Sequence, residues 1–388
     1  MTAPQGILVL HDSLDFGGHE RAFLTWLPGL LGSAEVGRVT LAFPEGNEAF
    51  AAALAPLVGP KLRLRPSRFV KRRAEPFLAP FRLAYQRWVR ELAAEARPDV
   101  VLLLQGRIES LAAAMLAVPP GPELVSYLPM AHSGREMGRW AAAAWITDGV
   151  KRAYYRRPVR FIAPSSAVAD QLRRAGARGK VHIVRNVPER TPAGRPAKRP
   201  PSSSGKRSAL FLGRMEVHQK GLDLLLRSIE QAGEGLRDYD FHFVGDGPDV
   251  AWLHARLAAC TGLSSRTSRW TDDPGGVLSA ADLVLMPSRY EGVPLVLLEA
   301  LAARVPVLAS PIDVFREHLP AANLFAFGGP GLPAAMDAAT SSEGWRRFQA
   351  HAARMDTAAG LERSRSDFLG AVLGVPTSHP RNLQGAAA

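Results

Sequence analysis

The chain has 388 residues, more than one hydrophobic core usually organises, so two domains are expected. Hydrophobic residues make up 47% and charged residues 22%, a globular balance that excludes a disordered or fibrous chain. The net charge of +12 favours phosphate-rich partners, although an arginine- and alanine-heavy composition accounts for part of that excess. A single cysteine, Cys260, excludes an internal disulfide and suits a reducing compartment. No stretch approaches the ~18 apolar residues of a membrane span. Met1–Gly6 lacks the basic start of a signal peptide, so the expectation is a cytoplasmic protein that meets membranes only at their surface.

Short apolar runs stand at Gly6–His11, Val39–Phe43, Leu62–Leu64, Val100–Leu104, Leu124–Leu128, Phe161–Pro164 and Val181–Val184. Amphipathic stretches such as Glu20–Leu31 and Phe77–Glu95 separate them. Continuous aliphatic runs between helices indicate parallel strands buried on both faces. Pro188–Arg207 then holds Pro192, Pro196, Pro200 and Pro201 among Ser, Gly, Arg and Lys, which excludes a helix and reads as a linker.

A second series follows, with strands expected at Ala209–Leu212, Phe241–Val244, Leu283–Met286, Val305–Ala309 and Leu324–Phe327. Its helices are expected at Gly221–Gln231, Val250–Ala259, Val293–Ala303 and Trp345–Ala371. The expected architecture is α/β: two Rossmann-like, doubly wound parallel-sheet domains facing across a cleft. The domains are residues 1–187 and 208–375, joined by a linker over 188–207. The last helix, about 342–372, is expected to pack back on the first domain, ahead of a flexible tail at 376–388.

Chemistry concentrates in the second half. Ala281–Ser310 reads strand, loop, helix, strand, which puts the loop Pro287–Pro294 at a strand's carboxyl end, where such sheets bind ligands. Gly292 permits close approach. The following helix aims free N–H groups, those of Leu295 and Val296, at an anion such as a diphosphate. Glu299 lies about one turn in, placed to accept hydrogen bonds from ribose hydroxyls, and Glu291 lies in the loop, placed to grip a sugar.

In Phe211–Leu226 a strand ends, Gly213 turns, and Arg214 and Lys220 follow, with Lys220–Gly221 opening the next helix. An Arg fork and a Lys point charge on one diphosphate are sound leaving-group chemistry. Val244–Pro248 carries Gly245 and Gly247 in a loop after a strand. Near the N-terminus, Asp15–Arg21 places Gly17 and Gly18 between strand and helix, with Glu20 in the first helical turn. His132 follows the run Val125–Pro129, and His11 ends the first strand.

The pair Glu291/Glu299 with Arg214 and Lys220 resembles the motifs of the retaining glycosyltransferases of family four, which have the GT-B fold of two Rossmann-like halves. The resemblance spans most of the chain and is specific in the C-terminal half. It implies transfer of a sugar from a nucleotide-diphosphate donor, with retention, to a glycan or lipid-linked acceptor. It assigns Arg214, Lys220, Glu291 and His132 to catalysis. It assigns Gly17, Gly18, Gly213, Gly245, Gly292, Leu295, Val296 and Glu299 to donor binding, and reads Asn186 as hinge structure. Arg214 and Lys220 stand six apart where the family more often has five.

No cofactor and no metal are expected, because the Arg214/Lys220 pair supplies the charge a Mg²⁺ would give. Asp238–Tyr239–Asp240 has the D-x-D form of another glycosyltransferase fold but precedes a strand, so it reads as chance. No His/Cys cluster has metal-ligand spacing. Arg63–Arg90 mixes basic residues with Phe69, Phe77, Phe81 and Trp88, which suits an anionic membrane surface. No nucleic-acid-binding module is present. The rival readings are a non-catalytic nucleotide-sugar-binding scaffold of polysaccharide assembly and a nucleotide-sugar epimerase of the same fold.

Overall fold

A computed structural model describes residues 3–72, 74–188, 205–271, 273–354 and 357–375. Most of the expected linker and the expected tail lie outside the described residues. The described residues divide into two compact units. One draws on Met1–Arg135, Arg139–Val187 and Ala358–Ala388, the other on Glu136–Gly138 and Pro188–Thr357.

The first unit has seven parallel strands: β1 Gln5–Leu10, β2 Val36–Pro44, β3 Leu62–Ser67, β4 Val100–Leu104, β5 Glu123–Tyr127, β6 Arg160–Ala163 and β7 Lys180–Ile183. Their order is β3-β2-β1-β4-β5-β6-β7. The run VVLLL of β4 is buried at every position, because a central parallel strand is covered on both faces. One face carries the helix Gly18–Gly32 through Ala22, Phe23, Trp26, Leu27 and Leu30. Beside it lies the helix Thr357–Leu373, whose Phe368 ring stacks on Trp26 at 4.5 Å.

The second unit has five parallel strands: β8 Arg207–Leu212, β9 Tyr239–Val244, β10 Ser265–Ser268, β11 Leu283–Met286 and β12 Val307–Ala309. Their order is β10-β9-β8-β11-β12. Alternation along β8 feeds two cores. Ala209 and Phe211 pack with Leu222, Leu225 and Ile229, while Leu210 and Leu212 pack with Leu297, Leu301 and Phe348. In both sheets the order reverses beside the first strand, between β1 and β4 and between β8 and β11. Connections leave in opposite directions there, which opens a crevice at the strands' carboxyl ends.

Several expectations are corrected. Leu324–Phe327 is not a strand: it makes one bridge, Ala309 to Leu324, before the chain turns at Gly328 with φ 102°. Strand β10 escaped the sequence reading because Ser265–Ser268 is polar and largely exposed, so no apolar run marks it. Phe77–Glu95 is not continuous but comprises the helix Glu75–Leu78, a 3-10 turn at Ala79–Phe81 containing Pro80, and the helix Leu83–Ala96. The expected final helix is two helices, Ser342–Ala352 and Thr357–Leu373, and from Ala358 onward the second is counted with the first unit. Lys220 closes a short helix, Val217–Lys220, rather than opening the next, because Gly221 breaks the run in the left-handed region at φ 66°.

Candidate functional site

The crevice between β8 and β11 in the second unit gathers several of the expected residues. Lys220 Nζ donates to Glu291 Oε1 at 2.6 Å, and Ser288 Oγ donates to the same oxygen at 2.8 Å. The Glu291 side chain is 5% exposed and that of Lys220 20%, so the pair is largely removed from water. Gly213 lies beside Lys220: a Cβ added there would stand 4.0 Å from Lys220 Cε. Arg214 is not brought to this pair. Its side chain is 58% exposed, and its ionic contact among the described residues is Glu216, at 3.8 Å.

The helix Leu295–Ala302 begins after Pro294, whose carbonyl accepts from Leu297 and Leu298 N–H at 3.1 and 3.5 Å. The N–H groups of Leu295 and Val296 therefore precede the first intrahelical bond. Gly292 is buried in the loop, and Glu299 is half-buried on the second turn.

Two devices fix these loops. Arg289 grips Asp223 through two hydrogen bonds, Nη1 to Oδ1 at 2.7 Å and Nη2 to Oδ2 at 2.6 Å. Burial alone would raise the Asp223 pKa, but the Arg289 guanidinium outweighs that and holds the carboxyl below its usual range. The backbone adds a bond from Arg289 N–H to the Gln219 carbonyl at 2.9 Å, so the β11 loop is sewn to the β8 loop next to Lys220.

The glycine loop serves the same end. A Cβ on Gly245 would fall 1.9 Å from the Gly213 carbonyl oxygen, and one on Gly247 would fall 2.4 Å from that of Met215. These glycines let two loops touch backbone to backbone. Asp246 in the same loop accepts from Trp270 N–H at 3.0 Å. Asp240 of the D-x-D triplet is tied to Arg266 and Ser264.

In the first unit Gly17 is the N-cap of the helix Gly18–Gly32 and Gly18 its exposed first residue. Gly17 N–H is taken by Glu20 Oε2 at 2.9 Å. Glu20 is no exposed first-turn acid: it is fully buried, with Oε1 3.2 Å from His11 Nε2 and 3.0 Å from His19 Nε2. Burial would push its carboxyl toward the neutral form, yet the two imidazoles hold it well below the usual carboxylate range. Sequence spacing missed this trio, because His11 ends a strand while His19 and Glu20 open the following helix. His132 is buried in the loop after β5, and Asn186 is buried after β7.

The basic stretch Arg63–Arg90 is partly internal. Arg82 pairs with buried Glu75 at 2.7 Å, Arg65 pairs with Glu95, and Phe69 stacks on Tyr85 at 4.8 Å and lies 5.6 Å from Trp88. Its exposed apolar side chains are Phe77, Leu78, Phe81 and Leu83. Trp140, Trp145 and Ile146 are also exposed. Among the described residues no helix is long and apolar enough to cross a membrane.

Two parallel-sheet Rossmann-like units, each with its crevice beside the first strand, define a two-domain α/β architecture. Residues 16–187 match the family model described as Glycosyltransferase Family 4, and residues 206–336 match that described as Glycosyl transferases group 1. Between them the two models cover most of the chain, and it belongs to this family of glycosyltransferases.

Among curated relatives, TuaC of Bacillus subtilis, a candidate teichuronic acid biosynthesis glycosyltransferase, is 36% identical over 118 residues, 29% of this chain and 28% of TuaC. The phosphatidyl-myo-inositol mannosyltransferase of Mycobacterium leprae is 27% identical over 224 residues, 57% of each chain. The matched stretches thus span about a quarter and about half of these relatives. Among solved structures, Anabaena Alr3699/HepE in complex with UDP-glucose superposes with a TM-score of 0.68 at 18% identity, over 94% of this chain and 99% of that one.

Proposed function

We propose that this chain transfers a glycosyl group from a nucleoside-diphosphate sugar to a glycan or lipid-linked acceptor, with retention at the anomeric carbon. The observation that carries the reading is the Lys220–Glu291 pair at the carboxyl ends of β8 and β11, beside the start of the helix Leu295–Ala302. A cation and helix N–H groups there suit a diphosphate, and Glu291 suits sugar hydroxyls.

In the proposed step the bond from the anomeric carbon to the diphosphate oxygen breaks, and its electron pair leaves with the diphosphate. Lys220, joined by Arg214 when its exposed side chain swings in, neutralises the charge that develops on the phosphate oxygens. The acceptor oxygen bonds to the same face of the sugar, and its proton passes to the departing phosphate oxygen. Glu299 holds the ribose, and His132 lies on the acceptor side. The reading assigns no divalent cation to the diphosphate and no cofactor to the reaction.

We place the protein in the cytoplasm, bound peripherally to anionic membrane. Exposed Phe81 and Trp145 (79% and 80%) support that placement. Co-sedimentation with anionic vesicles at low salt tests it, and failure to bind would end the idea.

The function itself is tested by incubating the chain with UDP-, GDP-, ADP- and dTDP-sugars and candidate acceptors. The readouts are nucleoside-diphosphate release and the anomeric configuration of the product by NMR. Inversion would overturn the mechanism. Donor binding without nucleoside-diphosphate release would point to a scaffold, and sugar interconversion without an acceptor to an epimerase.

A further inference from the structure

At the crevice of the first unit His11, His19 and Glu20 each bring one ligand atom within 4.8 Å of the others, and both Nε2 atoms face Glu20 Oε1. His11 is 3% exposed and Glu20 is fully buried. Among the described residues none of the three atoms makes a well-aligned hydrogen bond; their close contacts are with one another, at 3.2 and 3.0 Å. Atoms so buried are seldom left in that state.

The hydrogen bonds around the trio sharpen the problem. His11 Nδ1 lies 3.2 Å from the Leu104 carbonyl, which can only accept, so the proton of a neutral His11 sits on Nδ1. Its Nε2 is then a bare lone pair, aimed from 3.2 Å at an oxygen of Glu20. Glu20 Oε2 is already occupied by Gly17 N–H at 2.9 Å, which leaves Oε1 facing the imidazoles. Lone pairs pointed at one another repel unless a proton or a metal ion lies between them.

We infer that His11 Nε2, His19 Nε2 and Glu20 Oε1 form a binding site for a divalent transition-metal ion of the Zn²⁺ type. Two imidazole nitrogens and one carboxylate oxygen are a ligand set that such ions take, with solvent in the fourth position. Metal–ligand bonds of about 2.0–2.1 Å in a tetrahedron separate ligand atoms by about 3.3 Å. The two separations here are 3.2 and 3.0 Å. The outer contacts also fit: a ligating histidine usually donates its other N–H to a carbonyl or carboxylate, as His11 does to Leu104. His19, with its side chain 16% exposed, gives the ion a way in from solvent. The ion pins the first turn of the helix Gly18–Gly32 to the end of β1. It is separate from the diphosphate chemistry assigned to Lys220, and the inference does not depend on that assignment.

The test uses the full chain, desalted and then titrated with Zn²⁺ alone, with Mg²⁺ as a control. The expected result is one zinc per chain by elemental analysis, a saturable rise in Tm with Zn²⁺ and not with Mg²⁺, and visible d–d bands of a tetrahedral site on substitution with Co²⁺. His19→Ala removes the partly exposed ligand and is expected to abolish both the Zn²⁺-dependent Tm rise and the Co²⁺ bands. A wild-type chain that holds no zinc, shows no Zn²⁺-dependent shift and gives no Co²⁺ bands overturns the site. An unchanged response in a folded His19→Ala chain overturns it equally. The Co²⁺ spectrum of the wild type decides the matter even if the variant does not fold.

Discussion

Lys220 Nζ stands 2.6 Å from Glu291 Oε1, a contact between residues 71 apart in sequence that joins the loop after β8 to the loop after β11. Because Glu291 is buried, removing Lys220 alone takes the counter-charge from its carboxylate, which costs about 3–5 kcal/mol in such pairs. Structural and chemical roles are therefore mixed in any single variant, and the double variant separates them. Lys220→Met is expected to lower both stability and turnover, with kcat falling about 10²–10³-fold if Lys220 stabilises the leaving diphosphate. Lys220→Met with Glu291→Leu is expected to recover most of the stability and none of the activity. Urea midpoints and steady-state kinetics on the three proteins check this.

The glycine loop is expected to be intolerant of a single methyl group. Gly245 has φ 150° and lies against the Gly213 carbonyl, so Gly245→Ala forces the loop from Gly213 apart from its neighbour. The expected cost is about 1–3 kcal/mol from overpacking, with a further loss of donor affinity because Gly213 borders Lys220. Thermal melts with and without nucleoside diphosphate separate the two effects.

The Asp223–Arg289 pair gives a pH-dependent prediction. Arg289 depresses the Asp223 pKa in the folded state, so the stabilisation is present above the ordinary value of 3.8 and is lost as pH falls through the lower folded value. At pH 7 wild type is expected to exceed Asp223→Asn in urea midpoint. Below about pH 4 that difference is expected to shrink toward zero. A pH-independent difference would mean that geometry, not ionisation, holds the loop.

Physical reasons decide how much of this was legible beforehand. Buried parallel strands announce themselves as aliphatic runs, which is why β4 and β11 appear in the sequence at their observed bounds. Strand β10 does not, since a polar edge strand has no hydrophobic signal. Glu291 and Lys220 stood out in the sequence as candidate site residues, but their direct contact did not, because it spans two loops. The bidentate Asp223–Arg289 clamp left no local pattern either. His11 and Glu20 were visible only as a strand-end histidine and a first-turn acid. Their meeting depends on how the helix Gly18–Gly32 settles on β1, which no spacing rule reports.

The C-terminal helix Thr357–Leu373 is a working part of the first unit's core. Phe368 is fully buried, stacked on Trp26 at 4.5 Å and edge-on to Phe23 at 6.2 Å. One turn earlier Ser364 Oγ accepts from Trp26 Nε1 at 2.7 Å and donates to the Arg185 carbonyl at 2.6 Å. Phe368→Ala removes a large ring and leaves a cavity, for an expected loss of about 3–5 kcal/mol. Ser364→Ala leaves the buried indole N–H of Trp26 without its acceptor, for about 1–3 kcal/mol. Both changes act through Trp26, so the double variant is expected to lose less than the sum of the two. Urea unfolding followed by tryptophan fluorescence measures all three. Equal, small and additive losses would mean that this helix only rests on the unit and that the sheet holds its core without it.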